Sequence, residues 1–520
     1  MKGAALAGLS LAALKGLRAI GSQPSDSKVA PGLPLRAQQA AYRNIFYHTD
    51  IGALWDCIPF YWEDRFHLFY VKKLPDSKEF GEGVPWYKVT TKDFVNYTDH
   101  GEMIARGSRE EQDLNVYTGS VLRAEGRFHI YYCGHNGHFG RQNKPEEAIM
   151  HAVSDDLTTW HKVSGERLLA DTSLYEPNDW RDPFVFWNPE VHEYWMLIAA
   201  RLNTGPSRRR GCLALCASRD LRQWETRPPF WTTNLYHTPE CPDLFQMGDW
   251  WYLVFYEFSE RWRVRYRMSR SLQGPWVAPK VDEFDGSWYG AAKTASDGRH
   301  RFTFGWNPIK LEENDFNRKG GGGNLVVHEL VQEADDTLST RPPSSVEKAF
   351  STAVPFQLRK TFGDCEIGGS WTRIRAPMDF ACALAGTMPK RGAISADVTF
   401  DSGTRGVGFM LRTNPDVDGT YYLRVEPNRN RLVFDLWMPG ARTPQIPHYP
   451  HFLESERPLE LQPGQRFRMK ILADDTVCVA YINDRIALTA RMYNLRSGEW
   501  GVFVNEGSAA FEHISLMTTY

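Results

Sequence analysis

Three acidic residues stand out by the company they keep. Asp56 lies in ALWDCIPFYW among Leu54, Trp55, Cys57, Ile58 and Phe60, and Glu240 lies in HTPECPDLFQ beside Pro239, Cys241 and Pro242. Asp182 sits between Arg181 and Pro183 in NDWRDPFVFW. Each acid could be a plain turn or surface group, or a carboxylate held in an aromatic-walled cavity. A rigid setting of low polarity raises a carboxyl pKa, which suits Glu240 to general-acid work. Pro183 stiffens the chain and fixes where Asp182 points. Two facing carboxylates are the minimum machinery for cleaving a glycosidic bond: one attacks or activates water, the other protonates the leaving oxygen. A third can bind sugar hydroxyls and stabilise developing positive charge.

The elements that must position these acids form a repeat. Residues 66–97 contain FHLFYVKK and WYKVTTKDFVNY, and 128–160 contain FHIYYCGHN and IMHAVSDDLTTW. Residues 194–224 contain YWMLIAARL and CLALCASRDLRQW, 250–276 contain WWYLVFYEF and VRYRMSRSLQGPW, and a weaker copy runs from RFTFGW at 301 to LVVHEL at 330. Asp93, Asp156 and Asp220 recur 63 and 64 residues apart. A repeat of this length, holding about four strands, is one blade of a β-propeller. Five copies predict an all-β fold with a five-bladed β-propeller over about 44–340. The three acids are expected at one equivalent place in blades one, three and four, converging on a central funnel. After the RPPSSV boundary at 341–346 the repeat is lost. Eight alternating segments from GAISADVTF to WGVFVNEG predict an antiparallel β-sandwich over 350–520. Residues 1–43 read as a tail whose start resembles a signal peptide interrupted by Lys15 and Arg18.

Composition narrows the partners. The 520 residues carry a net charge of −2, which supplies no field for nucleic acid or anionic lipid. No run of about twenty apolar residues predicts a membrane span. Aromatic residues make up 13% of the chain, and they supply strands and flat faces for sugars. Eight cysteines are too few for a disulfide scaffold, and Cys212 and Cys216 in one strand lie too far apart to bridge. That usage leans towards a reducing, cytoplasmic compartment. No cofactor is expected: Gly320 to Gly323 lack the Lys-Ser/Thr of a phosphate loop. No metal is expected either, because His135 and His138 have no third ligand at useful spacing. The expected partner is a carbohydrate substrate.

Several motifs in order resemble glycoside hydrolase family 32, the invertase, inulinase and levanase family, over about residues 44–518. They are Arg181-Asp182-Pro183, Glu240-Cys241 followed by Pro-Asp-Leu-Phe, Tyr117-Thr118-Gly119-Ser120, Asp285 to Tyr289 with Gly305-Trp306, and Asp484-Arg485 to Tyr493. The resemblance implies a propeller plus sandwich, with Asp56 as nucleophile, Glu240 as acid/base and Asp182 as transition-state stabiliser. It implies that Arg181 binds fructosyl hydroxyls and that the anomeric configuration is retained. It also implies a sugar pocket lined by Trp55, Trp86, Tyr117, Ser120, Arg181, Trp288 and Trp306. The chain departs from the family pattern where Trp55 replaces an Asn, where Val71 replaces a Gln, and where no Trp follows the glycines at 320–323. Alternatives to a retaining β-fructosidase are an inverting furanosidase of the arabinanase type and a sugar-binding protein without activity.

Overall fold

The computed structural model describes residues 41–437 and 451–519. The expectation for the N-terminal tail falls almost wholly outside them.

Five antiparallel blades make up the propeller, blades one and five being joined by the Gly323–Leu54 pairing. Blade one runs Ala53–Trp62, Arg65–Lys73, Trp86–Thr91 and Asn96–Ile104, and Ala41–Arg43 pairs onto its outer edge. Blade two runs Asn115–Ala124, Arg127–His135, Glu147–Ser154 and His161–Lys162. Blade three runs Arg181–Asn188, Glu193–Arg201, Gly211–Ser218 and Glu225–Thr232. Blade four has three strands, Glu240–Met247, Trp250–Glu257 and Arg263–Ser269, with isolated bridges at Val277 and Glu283 along the fourth edge. Blade five runs Gly290–Ser296, Arg301–Lys310, Lys319–Gln332 and Leu338–Arg341. The inner strands contact one another in a closed ring, blade five returning to blade one. Radial repetition leaves only short, protected strand edges.

The repeated turn explains why these residues make blades. Asp156 accepts the backbone N–H groups of Thr158 and Thr159, and Asp220 accepts those of Arg222 and Gln223. Asp93 accepts those of Val95 and Asn96 in the same way. The next residue, Phe94, Leu157 or Leu221, takes a positive φ of 58–61° and is buried. The short acidic side chain satisfies the turn's donors, and the apolar residue anchors it between blades.

The aromatic runs that announce each repeat form the second strand of a blade. The inner strand precedes them and carries the candidate acids, so blade five begins at Gly290 rather than at Arg301.

The C-terminal third is a β-sandwich, sewn together by the twenty-residue strand Glu499–Thr518. Its first part pairs with Phe380–Thr387 and with Gly406–Thr413, its second with Thr372–Ala376 and Ala393–Phe400. Buried polar contacts weld sandwich to propeller. Asp285 accepts from Thr489 and meets His328 at 2.9 Å, His328 meets Tyr481 at 2.8 Å, and Arg457 donates to the Phe284 carbonyl. All eight cysteines are free thiols. No helix among the described residues is long and apolar enough to cross a membrane.

Candidate active site

All five inner strands carry the same irregularity. Two residues oppose one partner at Trp55–Asp56, Tyr117–Thr118, Asp182–Pro183, Cys241–Pro242 and Ala291–Ala292. A β-bulge bends its strand and re-aims side chains, here five times around one axis. Asp182, Cys241 and Ala291, the first bulge residues of blades three to five, hold positive φ of 57°, 50° and 48°. These are conformations that residues with a Cβ seldom adopt.

The bulges correct the expected equivalence of the acids. Glu240 stands just before its bulge, Asp182 is the first bulge residue, and Asp56 is the second. The acids therefore occupy three successive levels of the funnel. Residues on one level of neighbouring blades meet each other. Arg181 and Glu240 share the upper level, and Arg181 Nη2 and Nε donate to Glu240 Oε1 at 2.8 and 3.2 Å. Thr118 and Asp56 share the lower one, and Thr118 Oγ1 donates to Asp56 Oδ2.

The Asp56 carboxylate has a second donor, Trp306 Nε1, at 2.9 Å from Oδ1. Gly290 makes room for that indole, since a Cβ there would stand 2.9 Å from the Trp306 ring. Burial, and then the charge of Asp182, push the Asp56 pKa above the ordinary carboxylate value, while the two hydrogen bonds hold it down. Asp182 is buried, and its Oδ2 accepts the Cys241 backbone N–H at 2.9 Å, tying blade three to blade four. Burial pushes the Glu240 carboxyl up to about 7. The Arg181 guanidinium pulls against that rise, and the charges of Asp182 and Asp56 add to it. Arg181 is held on its far side by Asp179 and lies 3.7 Å from Glu147.

The other expected lining residues divide. Tyr117 is half-buried near the acids and stacks on His135 with ring centroids 5.0 Å apart. Trp55 is half-buried against the glycines of blade five, where a Cβ on Gly321 or Gly322 would stand 2.9 or 1.9 Å from its ring. Three placements are corrected. Trp86 is fully buried and braces the second bulge by donating Nε1 to the Tyr117 carbonyl at 3.1 Å. Ser120 is buried, and its Oγ accepts the Val185 N–H at 3.0 Å as a tie between blades. Trp288 is 1% exposed, donates to the Glu454 carbonyl of the sandwich, and is capped by the ammonium groups of Lys310 and Lys319. None of the three offers a face to the funnel.

Sequence reasoning named Thr118 only within a motif and gave no role to it or to Glu147, Asp179 and Tyr256, whose ring packs edge-on to Trp306 at 6.3 Å. Thr118 was within reach, since it stands beside Tyr117 at the level of Asp56. No cluster of three or more metal-ligating side chains occurs among the described residues. His138 meets Glu82 at 2.7 Å.

The family model for the glycosyl hydrolases family 32 N-terminal domain matches residues 58–320, and that for the family 32 C-terminal domain matches 377–518. The chain belongs to glycosyl hydrolases family 32. As a family 32 member it is a glycosidase with a distant set of relatives. It is 26% identical over 227 residues to a sucrose-6-phosphate hydrolase of Vibrio alginolyticus, an alignment covering 41% of this chain and 43% of the relative. It is 24% identical to the Escherichia coli sucrose-6-phosphate hydrolase, covering 89% of this chain and 91% of that one. The crystal structure of fructan 1-exohydrolase IIa from Cichorium intybus superposes with a TM-score of 0.71 at 14% identity, covering 91% of this chain and 96% of that one. That likeness speaks for the fold alone. The family 32 match begins two residues after Asp56, so the first bulge lies outside it.

Proposed function

We propose that this protein cleaves a terminal β-fructofuranosyl residue from a carbohydrate with retention of configuration. The observation that carries the reading is the different setting of two half-buried carboxyls that converge on the funnel, Asp56 from blade one and Glu240 from blade four. Glu240 is pushed to about 7 and can hold a proton near neutrality; Asp56 is also pushed up by burial and by Asp182, but unlike Glu240 it accepts two hydrogen bonds, from Thr118 and Trp306, that favour its ionised form.

In this reading Asp56 attacks the anomeric carbon while Glu240 passes its proton to the departing oxygen. The carbon–oxygen bond breaks, and a fructosyl ester forms on Asp56. Glu240, now a carboxylate, takes a proton from water, and the hydroxide attacks the same carbon. That step frees Asp56 and restores the proton on Glu240. Asp182 has one oxygen engaged by Cys241, and Oδ1 is left to hold ring hydroxyls. Arg181 restrains Glu240 and moderates its pKa. Trp55, standing where the family pattern has an Asn, gives the pocket a wall of its own. The test is a panel of sucrose, sucrose 6-phosphate, levan, inulin and arabinofuranosides, with released sugars separated and identified. Fructose release, with glucose 6-phosphate as the co-product from sucrose 6-phosphate, supports the reading; arabinose release alone contradicts it.

A further inference from the structure

Lys293 closes the fifth bulge, at the level of Asp243 in blade four and Phe184 in blade three. It is 2% exposed, and among the described residues no carboxylate lies within ion-pair distance of its Nζ. A buried ammonium without a counter-ion is costly, so its remaining contacts must explain it. Nζ donates to the Pro242 carbonyl at 2.6 Å and stands 5.3 Å from the centre of the Phe184 ring. Pro242 is the second residue of the blade-four bulge, and the first, Cys241, supplies the N–H that Asp182 accepts. Glu240 directly precedes that bulge. The charge of Lys293 is also felt at the Cys241 thiol, which lies beside Asp182 and Asp56.

The funnel is otherwise rich in negative charge. Glu240 faces Arg181 and Asp182 from blade three, Asp56 from blade one, and Tyr256 on its own blade. Arg181 also serves Asp179 and Glu147. Of these carboxylates Arg201 shares only Asp179, at 3.4 Å, so Arg181 is the one guanidinium in contact with Glu240, and Lys293 lies one level below.

We propose that Lys293 is a positioning residue for the carboxylate trio, clamping the Cys241–Pro242 bulge and supplying a further positive charge from beneath. The proposal rests on the glycosidase reading above. Replacing Lys293 removes a cation, so the neighbouring carboxyls become harder to ionise and their pKa values rise.

The experiment compares Lys293→Met and Lys293→Arg with the wild type, each normalised to folded protein. The Lys293→Met variant is expected to lose roughly 10- to 100-fold in kcat with little change in KM. The upper limb of its pH–rate profile is expected to move up by roughly one unit. Lys293→Arg, which keeps the charge, returns that limb to the wild-type position. If the methionine variant does not fold, Lys293→Gln carries the same test. A lowered Tm with unchanged kcat and an unmoved limb makes Lys293 purely structural and overturns the proposal. If the wild type cleaves no fructoside, the reading of function fails by itself. The shift is then followed in substrate-free protein by ¹³C NMR of labelled glutamate: Glu240 titrates about one unit higher in Lys293→Met if the proposal holds, and at the wild-type pH if it does not.

Discussion

Arg181 and Glu240 hold the same position on the inner strands of neighbouring blades, and the guanidinium meets the carboxylate at 2.8 Å. This pairing restrains the group that must give up a proton, yet burial outweighs it and the carboxyl still rises to about 7. A carboxyl near that value is a working acid at neutral pH, whereas an ordinary surface glutamate is not.

The pH dependence of kcat/KM follows with a definite sign. Glu240 must be protonated in the free enzyme, so activity should fall as pH rises through about 7. Arg181→Met removes the charge that favours the ionised form, so the upper limb should move to higher pH. A pH–rate profile of both proteins checks this, and a limb moving down in Arg181→Met would contradict it.

Glu240→Gln should lose roughly 10²–10⁴-fold on substrates with poor leaving groups. It should keep much more activity on an activated aryl fructoside, whose leaving group needs little protonation. Azide should partly rescue Glu240→Ala by attacking the fructosyl ester without general-base help. Equal losses on both substrate classes would remove Glu240 from the acid role.

Trp306→Phe deletes one of the two donors to Asp56 without changing the charge of the site. A hydrogen bond to a charged group is worth about 1.5–3 kcal/mol, so kcat should fall about tenfold or more. The Asp56 pKa should rise, moving the lower limb of the profile upwards. An unmoved lower limb would show that the Trp306 bond does not govern Asp56.

The amount of this architecture legible in the sequence depended on whether a local rule governed it. The Asp156–Leu157 turn and its copies were readable because a short acid, a left-handed residue and a buried apolar anchor act within a few residues. The bulges were not readable, because two residues opposing one is a property of a strand pair. For that reason the acids were expected on one level and are found on three. Trp86 and Trp288 look like Trp306 in the sequence, yet two of them are core and one reaches Asp56. An indole donor is committed by whichever acceptor the tertiary fold brings to it. The strand Thr372–Thr387 was missed because its alternation breaks at Pro377-Met378-Asp379, where the pairing shifts and Met378 takes a φ of 59°.

Trp55 and the glycines of blade five should behave as a coupled pair. The three atoms nearest to a Cβ on Gly321 would all belong to the Trp55 ring, at 2.9–3.1 Å. Gly321→Ala should therefore lower stability by about 1–2 kcal/mol through overpacking. Trp55→Asn should make the same alanine nearly neutral. A double-mutant cycle by denaturant unfolding measures the coupling, expected at about 1 kcal/mol. Additive effects would separate the two sites. Trp55→Asn should also change the preference among fructosides, since it reshapes the wall beside Asp56.

The central claim is retention through a fructosyl ester on Asp56, and methanol as acceptor tests it most directly. The enzyme is incubated with its fructosyl donor in aqueous methanol, and the methyl fructofuranoside is characterised by NMR, with Asp56→Asn run in parallel. The account predicts the β-anomer from the wild type and no product above background from Asp56→Asn, which cannot form the ester. The α-anomer from the wild type, or wild-type rates from Asp56→Asn, would contradict it.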